Sequence, residues 1–390
     1  MNSPRTEPPE SGARDHWSIV PMSALCSIKN GKSDTQDATD RGPYAFFDRS
    51  KAIKRSDRFL FDCEALIIPG EGTEFLPRQF NGKFDLHQRA YALHNFSETI
   101  NPRFLFHFLV YKKDYFPRVA VGTTVKSLRM RHFEDLPVSV TTLGDQQRIV
   151  AILDEALAGI AVAEASVKRN LKNTYDAFES FRDDIFNAKS HRSAKSLGEI
   201  ASFRNGVNFT KSSKGRVVKI VGVKDFQNRF AVPTEGLEAV TINGEVNKDD
   251  LLRGNDLLTV RSNGNIQLIG RTMVVDECPA NTIHSGFTIR TRLTVDSVFS
   301  QYLCHFMRSR GTRRRMIDGG TGTNIKSLNQ GTLTKLLVPL PSHDEQKRIA
   351  KRLDGFAQRT DRLTDVYKQK LVALERLKQS LLSQAFSGNL

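Results

Sequence analysis

The strongest constraint on the fold is an internal repeat. Residues 121–190 align with residues 321–390 at a constant offset of 200 positions and without a gap. About a quarter of the aligned positions are identical, against about one in fifteen to twenty for unrelated segments of average composition. The shared residues include Gly122-Thr123 and Gly322-Thr323, Lys126-Ser127-Leu128 and Lys326-Ser327-Leu328, and Leu153-Asp154 and Leu353-Asp354. Such a duplication predicts a fold with internal pseudo-twofold symmetry.

The segments that precede the two copies are related more loosely. Asn30-Gly31 and Asn205-Gly206 each follow an apolar lead, at residues 22–25 and 197–200, which we interpret as a strand. The offset between these matches differs from 200, so insertions have changed the globular parts while the segments after them kept their length. The chain therefore consists of a variable unit followed by a fixed unit, and this pair of units occurs twice.

The fixed units are predicted to be long amphipathic helices. Residues 145–187 and 345–386 contain no proline and one glycine each, Gly159 and Gly355. Apolar residues recur at steps of four and three, which is typical of the seam between packed helices. The predicted seam runs through Ile149, Leu153, Ala156, Ile160, Ala163 and Val167, then Leu171, Tyr175, Phe178, Phe181 and Ile185, and in the second copy through Ile349, Leu353, Phe356, Leu363, Tyr367, Leu371, Leu374, Leu377 and Leu381.

Both helices begin with the spacing of a capping box, Thr142 before Asp145 and Ser342 before Glu345. About 42 helical residues form a rod of roughly 60 Å. One amphipathic rod of that length needs a partner for its apolar stripe. We therefore expect the two helices to pair, most simply antiparallel. An alternative stays open, in which each helix breaks at its glycine and folds back on its own globular unit.

The variable units mix strand-like runs with short helices and turns, which is typical of α/β domains. Strands are predicted near residues 65–68, 217–221, 257–260, 273–275 and 287–289, and helices near 102–110 and 299–308. The predicted fold class is α+β, with two α/β domains separated by a long antiparallel two-helix coiled coil. The predicted segments are a disordered N-terminus at 1–16, a first domain at 17–143, a first helix at 144–190, a second domain at 191–343 and a second helix at 344–390.

The composition indicates a polyanionic partner. Lys and Arg number 58 against 43 Asp and Glu, which gives a formal charge of +15 and a pI near 9.7. Such an excess attracts nucleic acid, although an ordinary basic protein has a similar composition. The sequence contains no run of about 18 apolar residues, so no membrane span is expected. The four cysteines have no CxxC spacing and the polar N-terminus lacks a secretory core, so we expect a cytoplasmic protein without zinc or disulfides.

Polar and basic side chains beside the predicted turns are the candidate DNA contacts. Arg, Asn and Gln can each form two hydrogen bonds with a guanine or adenine edge in the major groove, although a solvated loop has a similar composition. The candidates are Arg78, Gln79, Asn81, Lys83, Gln88, Arg89 and Lys126 in the first copy, and Arg261, Asn263, Asn265, Gln267, Arg271 and Lys326 in the second. A further cluster, Arg308, Arg310, Arg313, Arg314 and Arg315, is expected to contact phosphates or to solvate a helix end.

Catalytic motifs are missing from the sequence. Gly31-Lys32-Ser33 has the end of a phosphate loop, but Cys26 stands where its first glycine is needed. Residues 101–104, which read NPRF, match only in part the (N/D)PP(Y/F) motif of amino-methyltransferases. His107 and His305 are matching repeat positions in apolar helices and are interpreted as core residues. We therefore expect no catalytic, cofactor-binding or metal-binding residue in this chain.

The repeated element resembles the start of the helical regions in type I restriction–modification specificity (S) subunits. In the second copy it reads LLVPLP at residues 336–341, EQKRI at 345–349 and LD at 353–354; in the first copy Val140-Thr141 replaces the second proline region and Asp145 replaces glutamate. The resemblance covers about residues 17–387. It implies two target recognition domains, each reading one half of an interrupted double-stranded DNA site.

The resemblance also implies partners. The helices would set the unread spacer and dock two methyltransferase (M) subunits, which carry S-adenosylmethionine, and restriction endonuclease (R) subunits with ATP and Mg²⁺ join some complexes. None of that chemistry is expected in this chain. Two alternatives stay open: a basic coiled-coil adaptor without sequence-specific DNA binding, and a specificity subunit of a methylation-only defence complex.

Overall fold

A computed structural model describes residues 16–187, 193–210, 212–227, 229–277, 280–320 and 327–390. Lys326, the turn at 322–323 and residues 1–15 of the predicted disordered N-terminus lie outside the described residues. The chain divides into two compact units. Unit 1 comprises Met1–Lys168 and Lys368–Leu390, and unit 2 comprises Arg169–Tyr367. The predicted five-segment division stays a prediction.

Unit 1 is built around a six-stranded mixed sheet with strand order β2-β7-β5-β6-β3-β4, in which only β3 and β6 pair in parallel. One face of the sheet packs on helix α1, and the residues on its other face form a second, smaller apolar core. The strands and helices up to the long helix are β1 (Ser18–Pro21), β2 (Ser27–Asn30), β3 (Tyr44–Phe47), β4 (Lys54–Ser56), β5 (Phe61–Pro69), β6 (Arg78–Leu86), β7 (Ala90–His94), α1 (Pro102–Tyr111), α2 (Tyr115–Val119), α3 (Arg131–Glu134) and β8 (Pro137–Val140).

Unit 2 has a four-stranded sheet of order β10-β16-β13-β14 and a three-stranded sheet of order β12-β11-β15. Its elements between the long helices are β9 (Ala194–Ser196), α5 (Leu197–Ile200), β10 (Ala201–Asn205), β11 (Val217–Val221), β12 (Glu238–Thr241), β13 (Leu257–Val260), β14 (Thr272–Val274), β15 (Thr282–His284), β16 (Thr288–Leu293), α6 (Ser300–Arg308), α7 (Arg310–Asp318), α8 (Gln330–Thr334) and β17 (Leu337–Pro339).

The same small strand pair closes each domain. In unit 1, β1 pairs antiparallel with β8, and in unit 2, β9 pairs antiparallel with β17. The second strand of each pair comes directly before a long helix, α4 (Leu143–Asn187) or α9 (His343–Phe386). The proline-containing part of the repeated element therefore forms a strand that ties the start of each domain to the start of the helix after it.

Both long helices are continuous through Gly159 and Gly355, so the alternative in which they break there is wrong. Each helix gives one half to each unit. In unit 1, Ile149 and Leu153 of α4 share one core with Leu382 and Ala385 of α9. Early residues of α4 therefore meet late residues of α9.

In unit 2 the order is reversed. Phe178 and Phe181, late in α4, stack on Phe356, early in α9, with ring centroids 5.7 and 4.9 Å apart. The two helices therefore run antiparallel, as expected. No helix in the described part of the chain is apolar over a stretch long enough to cross a membrane.

Part of the predicted seam is wrong. Tyr175, Leu363 and Leu377 are 41%, 41% and 49% exposed, whereas Thr360 and Thr364 are buried. A straight α-helix turns a full circle in 3.6 residues, so a strict seven-residue pattern drifts around it over this length. The buried positions follow the helix geometry, and here they carry threonines rather than the neighbouring leucines.

The two apolar leads are also not strands. Met22–Ala24 is a 3-10 turn and Leu197–Ile200 is one turn of α-helix. The glycines after them do match. A Cβ atom on Gly31 would lie 1.9 Å from the carbonyl oxygen of Leu86, and one on Gly206 would lie 2.2 Å from that of Ser285. Close approach of two backbones therefore requires glycine at both positions.

Candidate nucleic-acid interface and domain–helix junctions

Gln146, early in α4, joins the first domain to the helix. Its side chain is fully buried. Its Nε2 donates to the carbonyl oxygens of Thr99 and Thr141, at 2.9 and 2.8 Å, and its Oε1 accepts from the backbone N–H of Asn101 at 2.8 Å. One amide thus satisfies three backbone groups where α1 begins and where β8 leads into α4. Buried polar groups without partners are costly, so these bonds fix the junction.

Two helical turns further, Asp154 binds two side chains of α1. Its Oδ1 lies 2.8 Å from Nε2 of His107 and 2.7 Å from Nη2 of Arg103. Arg103 also donates to Oε1 of Gln79 at 3.0 Å. The NPRF segment is therefore structural: its asparagine caps α1, and its arginine ties α1 to the long helix.

The second copy repeats the glutamine and histidine bonds of this junction, whereas the arginine bond to Asp154 is found in the first copy. Gln346 donates to the carbonyl oxygens of Ser297 and Pro341, at 3.0 and 2.9 Å, and accepts from the N–H of Phe299 at 2.9 Å. His305 Nε2 lies 2.9 Å from Oδ1 of Asp354. The Gln and Leu-Asp positions of the repeated element are thus the residues that hold a domain on a helix.

Burial governs the protonation of the two histidines. Desolvation lowers the pKa of His107 and of His305, and the neighbouring carboxylates only partly oppose this effect. For Asp154, burial tends to raise the pKa, but hydrogen bonds from Arg103 and His107 outweigh it and the net pKa is lowered. The side chains of His107 and His305 are 2% and 1% exposed, which confirms that both histidines are core residues.

The far end of the opposite helix also packs on each domain. In unit 1, Phe386 of α9 packs on Phe104 and Phe108 of α1, with ring centroids 5.2 and 5.3 Å apart. In unit 2, its repeat counterpart Phe186 of α4 packs on Tyr302 and Phe306 of α6, at 5.4 and 5.6 Å. Each domain is thus held between the start of one long helix and the end of the other.

Two candidate DNA contacts in the first domain make hydrogen bonds within the fold. Arg78 is half-buried and donates to the carbonyl oxygens of Ser50 and Asp48, at 3.0 and 2.9 Å. Gln79 donates to Glu64 at 2.8 Å and accepts from Arg103. These bonds tie β6 to neighbouring segments of the domain, and a DNA contact by either residue stays a prediction.

The other candidates in the first domain are Asn81, Lys83, Gln88, Arg89 and Lys126, which are all exposed. Asn81 and Lys83 lie on β6, whereas Gln88 and Arg89 form the turn between β6 and β7. Gln88 and Arg89 line one cavity together with Asn30, Ser127 and Arg129. Lys126 directly precedes Ser127 in the sequence. The structure therefore brings Gln88, Arg89 and the turn before α3 together and leaves Asn81 and Lys83 apart from them.

The candidates in the second domain cluster on one loop between β13 and β14. Asn263 and Asn265 accept the backbone N–H groups of Asn265 and Gln267, at 2.8 and 2.9 Å, and so shape this loop. Arg261 is half-buried, and its Nε has no hydrogen-bond partner in the described part of the chain. Arg271 donates to the carbonyl oxygens of Gln227 and Gln267. Lys326 lies outside the described residues.

Comparison with known sequences identifies the family. A sequence model of the type I restriction modification DNA specificity domain matches twice, at residues 14–172 and 193–375. These two matches span most of the chain and correspond to its two copies. The chain belongs to the type I restriction–modification specificity-subunit family.

Individual members of this family resemble the chain over nearly its whole length. The type I restriction enzyme EcoDI specificity subunit of Escherichia coli is 21% identical over 397 residues, covering 96% of this chain and 88% of that protein. The StySPI specificity subunit of Salmonella potsdam is 23% identical over 404 residues, covering 95% and 82%.

Solved structures show the same fold. A chain from a study of complex assembly and conformational transition of the type I restriction–modification system superposes with a TM-score of 0.74 at 16% identity, covering 99% of this chain and 100% of that one. The HsdS subunit of Thermoanaerobacter tengcongensis superposes with a TM-score of 0.51 at 16% identity, covering 97% and 98%. The fold of two recognition domains on two long helices is therefore that of the specificity subunits.

Some polar residues of this specificity subunit were missed by sequence reasoning. Asn30 and Arg129 line the same cavity as Gln88 and Arg89. Asn30 precedes Gly31 as Asn205 precedes Gly206, and Arg129 directly follows the repeated Lys-Ser-Leu triplet. The sequence could have indicated both residues, because Asn30 occupies a repeated position and Arg129 lies next to a repeated triplet.

Proposed function

We propose that this chain is the DNA-specificity subunit of a type I restriction–modification complex, in which each recognition domain reads one half of a bipartite double-stranded DNA site. The observation that carries the proposal is the doubled junction, in which Gln146 and Asp154 in one copy and Gln346 and Asp354 in the other make the same bonds. Two domains held in the same way on two antiparallel helices suit a site with two separate halves.

The exposed side chains support DNA as the ligand. The chain carries a formal charge of +15, which favours binding to phosphates before any base is read. In the first domain, Gln88, Arg89 and Lys126 are exposed, and the first two lie on the turn between β6 and β7. In the second, Asn263, Asn265 and Gln267 lie on one loop. Amide and guanidinium groups on loops are suited to major-groove edges.

The outward faces of the long helices support protein partners. Several aliphatic side chains there are between about a third and three quarters exposed, namely Ile152, Val162, Leu363, Val366, Val372 and Leu377. Exposed apolar side chains on helices are suited to protein contacts. We propose that two methyltransferase subunits bind these exposed side chains of the helices and supply S-adenosylmethionine, and that endonuclease subunits, where present, supply ATP and Mg²⁺. This chain itself performs no chemistry.

The proposal is tested by methylome sequencing of cells that express this chain with its cognate methyltransferase subunit. The expected result is modification at one bipartite motif with an unspecified spacer. A variant with Gln88→Ala and Arg89→Ala should alter or abolish one half of the motif and leave the other half readable. The matched control is Gln36→Ala with Arg41→Ala, at two exposed positions of the same domain that are not candidate contacts.

The adaptor alternative makes a different prediction. A basic coiled-coil adaptor would bind all duplexes equally, with an affinity that falls uniformly with salt. Absence of any bipartite motif, together with equal affinity for all duplexes, would show that the chain is not a specificity subunit. A motif without restriction activity would instead identify a methylation-only complex.

A further inference from the structure

Unit 2 contains a cavity of about 510 Å³ whose walls carry an unusual number of arginines. This volume is within the range of ordinary ligand pockets. The cavity lies where the end of α4 meets α7 and the loop before β14. Six guanidinium groups line it, from Arg182, Arg271, Arg308, Arg310, Arg313 and Arg314, against two carboxylates, those of Glu179 and Asp318.

Arg182 is the most deeply buried of these six arginines. Only 4% of its surface is exposed, and its Nε has no hydrogen-bond partner in the described part of the chain. Its Nη2 donates to Glu179. A buried guanidinium with an unused donor is unfavourable unless something supplies an acceptor.

The repeat shows that this arginine is not required by the helix. At the offset of 200, its counterpart is Leu382, which is fully buried in the main core of unit 1. The same helix position is thus filled by an apolar side chain in one copy and by a cation in the other. Because the repeated helix folds with leucine at this position, the arginine in unit 2 is explained by the cavity and not by the helix.

The neighbouring arginines are held in place by the protein. Arg313 Nε donates to the carbonyl oxygen of Ile269 at 3.1 Å, and Arg308 Nη1 donates to that of Thr272 at 2.7 Å. Arg310 binds Asp176 at 2.8 Å. The carbonyl oxygens hold Arg308 and Arg313 without neutralising their charge. The other paired arginines of the cavity have carboxylate partners: Arg182 with Glu179, Arg310 with Asp176 and Arg314 with Asp318.

The cations also repel one another. Burial lowers the pKa of Arg313, and the charges of Arg271, Arg308 and Arg182 lower it further, against the opposing charge of Glu179. Burial likewise lowers the pKa of Arg182. An anion in the cavity would relieve this repulsion.

We infer that this cavity is a phosphate-binding site, formed by Arg182, Arg308, Arg313 and Arg314. Guanidinium groups bind phosphoryl oxygens in pairs of parallel hydrogen bonds, which makes arginine the usual residue for this ligand. Gln267 and Arg271 belong both to this cavity and to the loop of candidate DNA contacts. The occupant is therefore a backbone phosphate of DNA, a step that rests on the proposed function; the same chemistry would also take a free phosphate ester.

The test uses the full chain and two variants. Arg182→Leu restores the residue of the other copy and is expected to fold, and Arg314→Gln changes a side chain that is 85% exposed. Arg216→Gln, at an exposed ion pair with Glu245 outside the cavity, is the control. Inorganic phosphate is titrated at constant ionic strength by calorimetry, and circular dichroism verifies folding.

The expected result is a loss of phosphate affinity of about tenfold in Arg182→Leu and of a few-fold in Arg314→Gln, with the control unchanged. Absence of phosphate binding to the wild-type chain, or unchanged affinity in both cavity variants, would overturn the inference.

A second measurement distinguishes the two sources of the phosphate. If DNA occupies the cavity, each cavity variant lowers the slope of log affinity for duplex against log salt by about one. If only inorganic phosphate binding is lost and the slope is unchanged, the site takes a free phosphate ester. A chain that binds phosphate but no specific duplex would refute the proposed function and leave this site in place.

Discussion

His107 Nε2 lies 2.8 Å from Oδ1 of Asp154, 47 residues further along the chain, and this bond attaches helix α1 of the first domain to helix α4. His305 and Asp354 form the same bond in the second copy, at 2.9 Å. The two adjacent residues of the Leu-Asp pair in the repeated element therefore have different structural roles. Its leucine enters the apolar core and its aspartate holds a buried histidine of the domain.

The first prediction concerns this carboxylate. Asp354→Ala leaves His305, which is 1% exposed, without its acceptor and should lower the free energy of unfolding by about 1–3 kcal/mol. Asp354→Asn keeps an oxygen acceptor and should restore most of the loss. Urea unfolding measures both. The control, Asp361→Ala on the same helix, should change stability by less than about 0.5 kcal/mol; equal losses in both alanine variants would contradict the role of the bond.

The second prediction concerns the buried glutamine. Gln146→Glu places a carboxylate against the carbonyl oxygens of Thr99 and Thr141, which now accept from the amide, and should destabilise the chain by more than about 3 kcal/mol. Gln147→Glu, at the exposed neighbouring position, makes the same chemical change and should have little effect. Thermal unfolding of the two variants compares them directly. A similar midpoint for both would show that the amide does not hold the junction.

The third prediction is a pH dependence. Burial lowers the pKa of His107, with Asp154 opposing and Arg103 assisting, and lowers the pKa of His305, with Asp354 opposing and Arg182 and Arg308 assisting. Burial and nearby arginines lower the pKa of His284 to about 3. The unfolded chain therefore binds more protons than the folded chain below the ordinary value of 6.5, so stability falls as the pH drops below it.

Each such histidine can contribute at most about 1.4 kcal/mol of lost stability per pH unit. Urea unfolding at pH 7.5, 6.5 and 5.5 measures the trend, and His284→Asn should make it shallower whatever its effect on stability at pH 7.5. Stability that rises on acidification across this range would contradict the prediction.

The fourth prediction separates structural from DNA-contacting arginines. Arg78→Ala removes the donor to the carbonyl oxygens of Ser50 and Asp48 and should lower the midpoint of thermal unfolding. Arg89→Ala removes an exposed side chain that donates to Glu71 at 2.6 Å. It should leave the midpoint within about 1 °C, because exposed ion pairs add little stability, and should weaken binding to duplex DNA. The opposite pattern would reverse the two assignments.

The sequence predicted the parts of the fold that depend on pattern and length. The gapless repeat and the proline-free segments gave both long helices, because a stripe of apolar residues and a capping box are local features. Interactions across long sequence distances were not predictable in the same way. That Arg78 turns to Ser50 and Asp48, or that Thr360 occupies the seam instead of Leu363, depends on which surfaces meet after folding.

The candidate site was predicted less well for the same reason. Arg, Asn and Gln beside turns have the same composition whether they face solvent, DNA or a neighbouring carbonyl oxygen. The side-chain amide of Gln79 makes it a candidate DNA contact in the sequence. In the structure that amide donates to Glu64 and accepts from Arg103. The arginine cavity was visible in sequence only as the cluster after residue 307, because Arg182 joins it from a segment more than a hundred residues away.

The last prediction tests the helices as the element that sets the spacer. In unit 1, Arg148 Nη2 of α4 donates to the carbonyl oxygen of Leu390, four residues beyond the end of α9, so the start of α4 lies beside the end of α9. By this pairing, an insertion of one heptad after Ala163 of α4 is matched by one after Leu374 of α9. Seven residues keep the apolar seam in phase and add about 10 Å to the pair. At about 3.4 Å per base pair, the unread spacer should lengthen by about three base pairs while both half-sites stay the same.

Methylome sequencing with the cognate methyltransferase subunit measures the spacer length and the two half-site sequences in one experiment. An insertion in α4 alone is the control, because it shifts the seam beyond Ala163 out of register with α9 and should abolish modification rather than lengthen the spacer. If the matched insertion changes the half-sites, or leaves the spacer as it was, the separation of the two half-sites is not set by these helices.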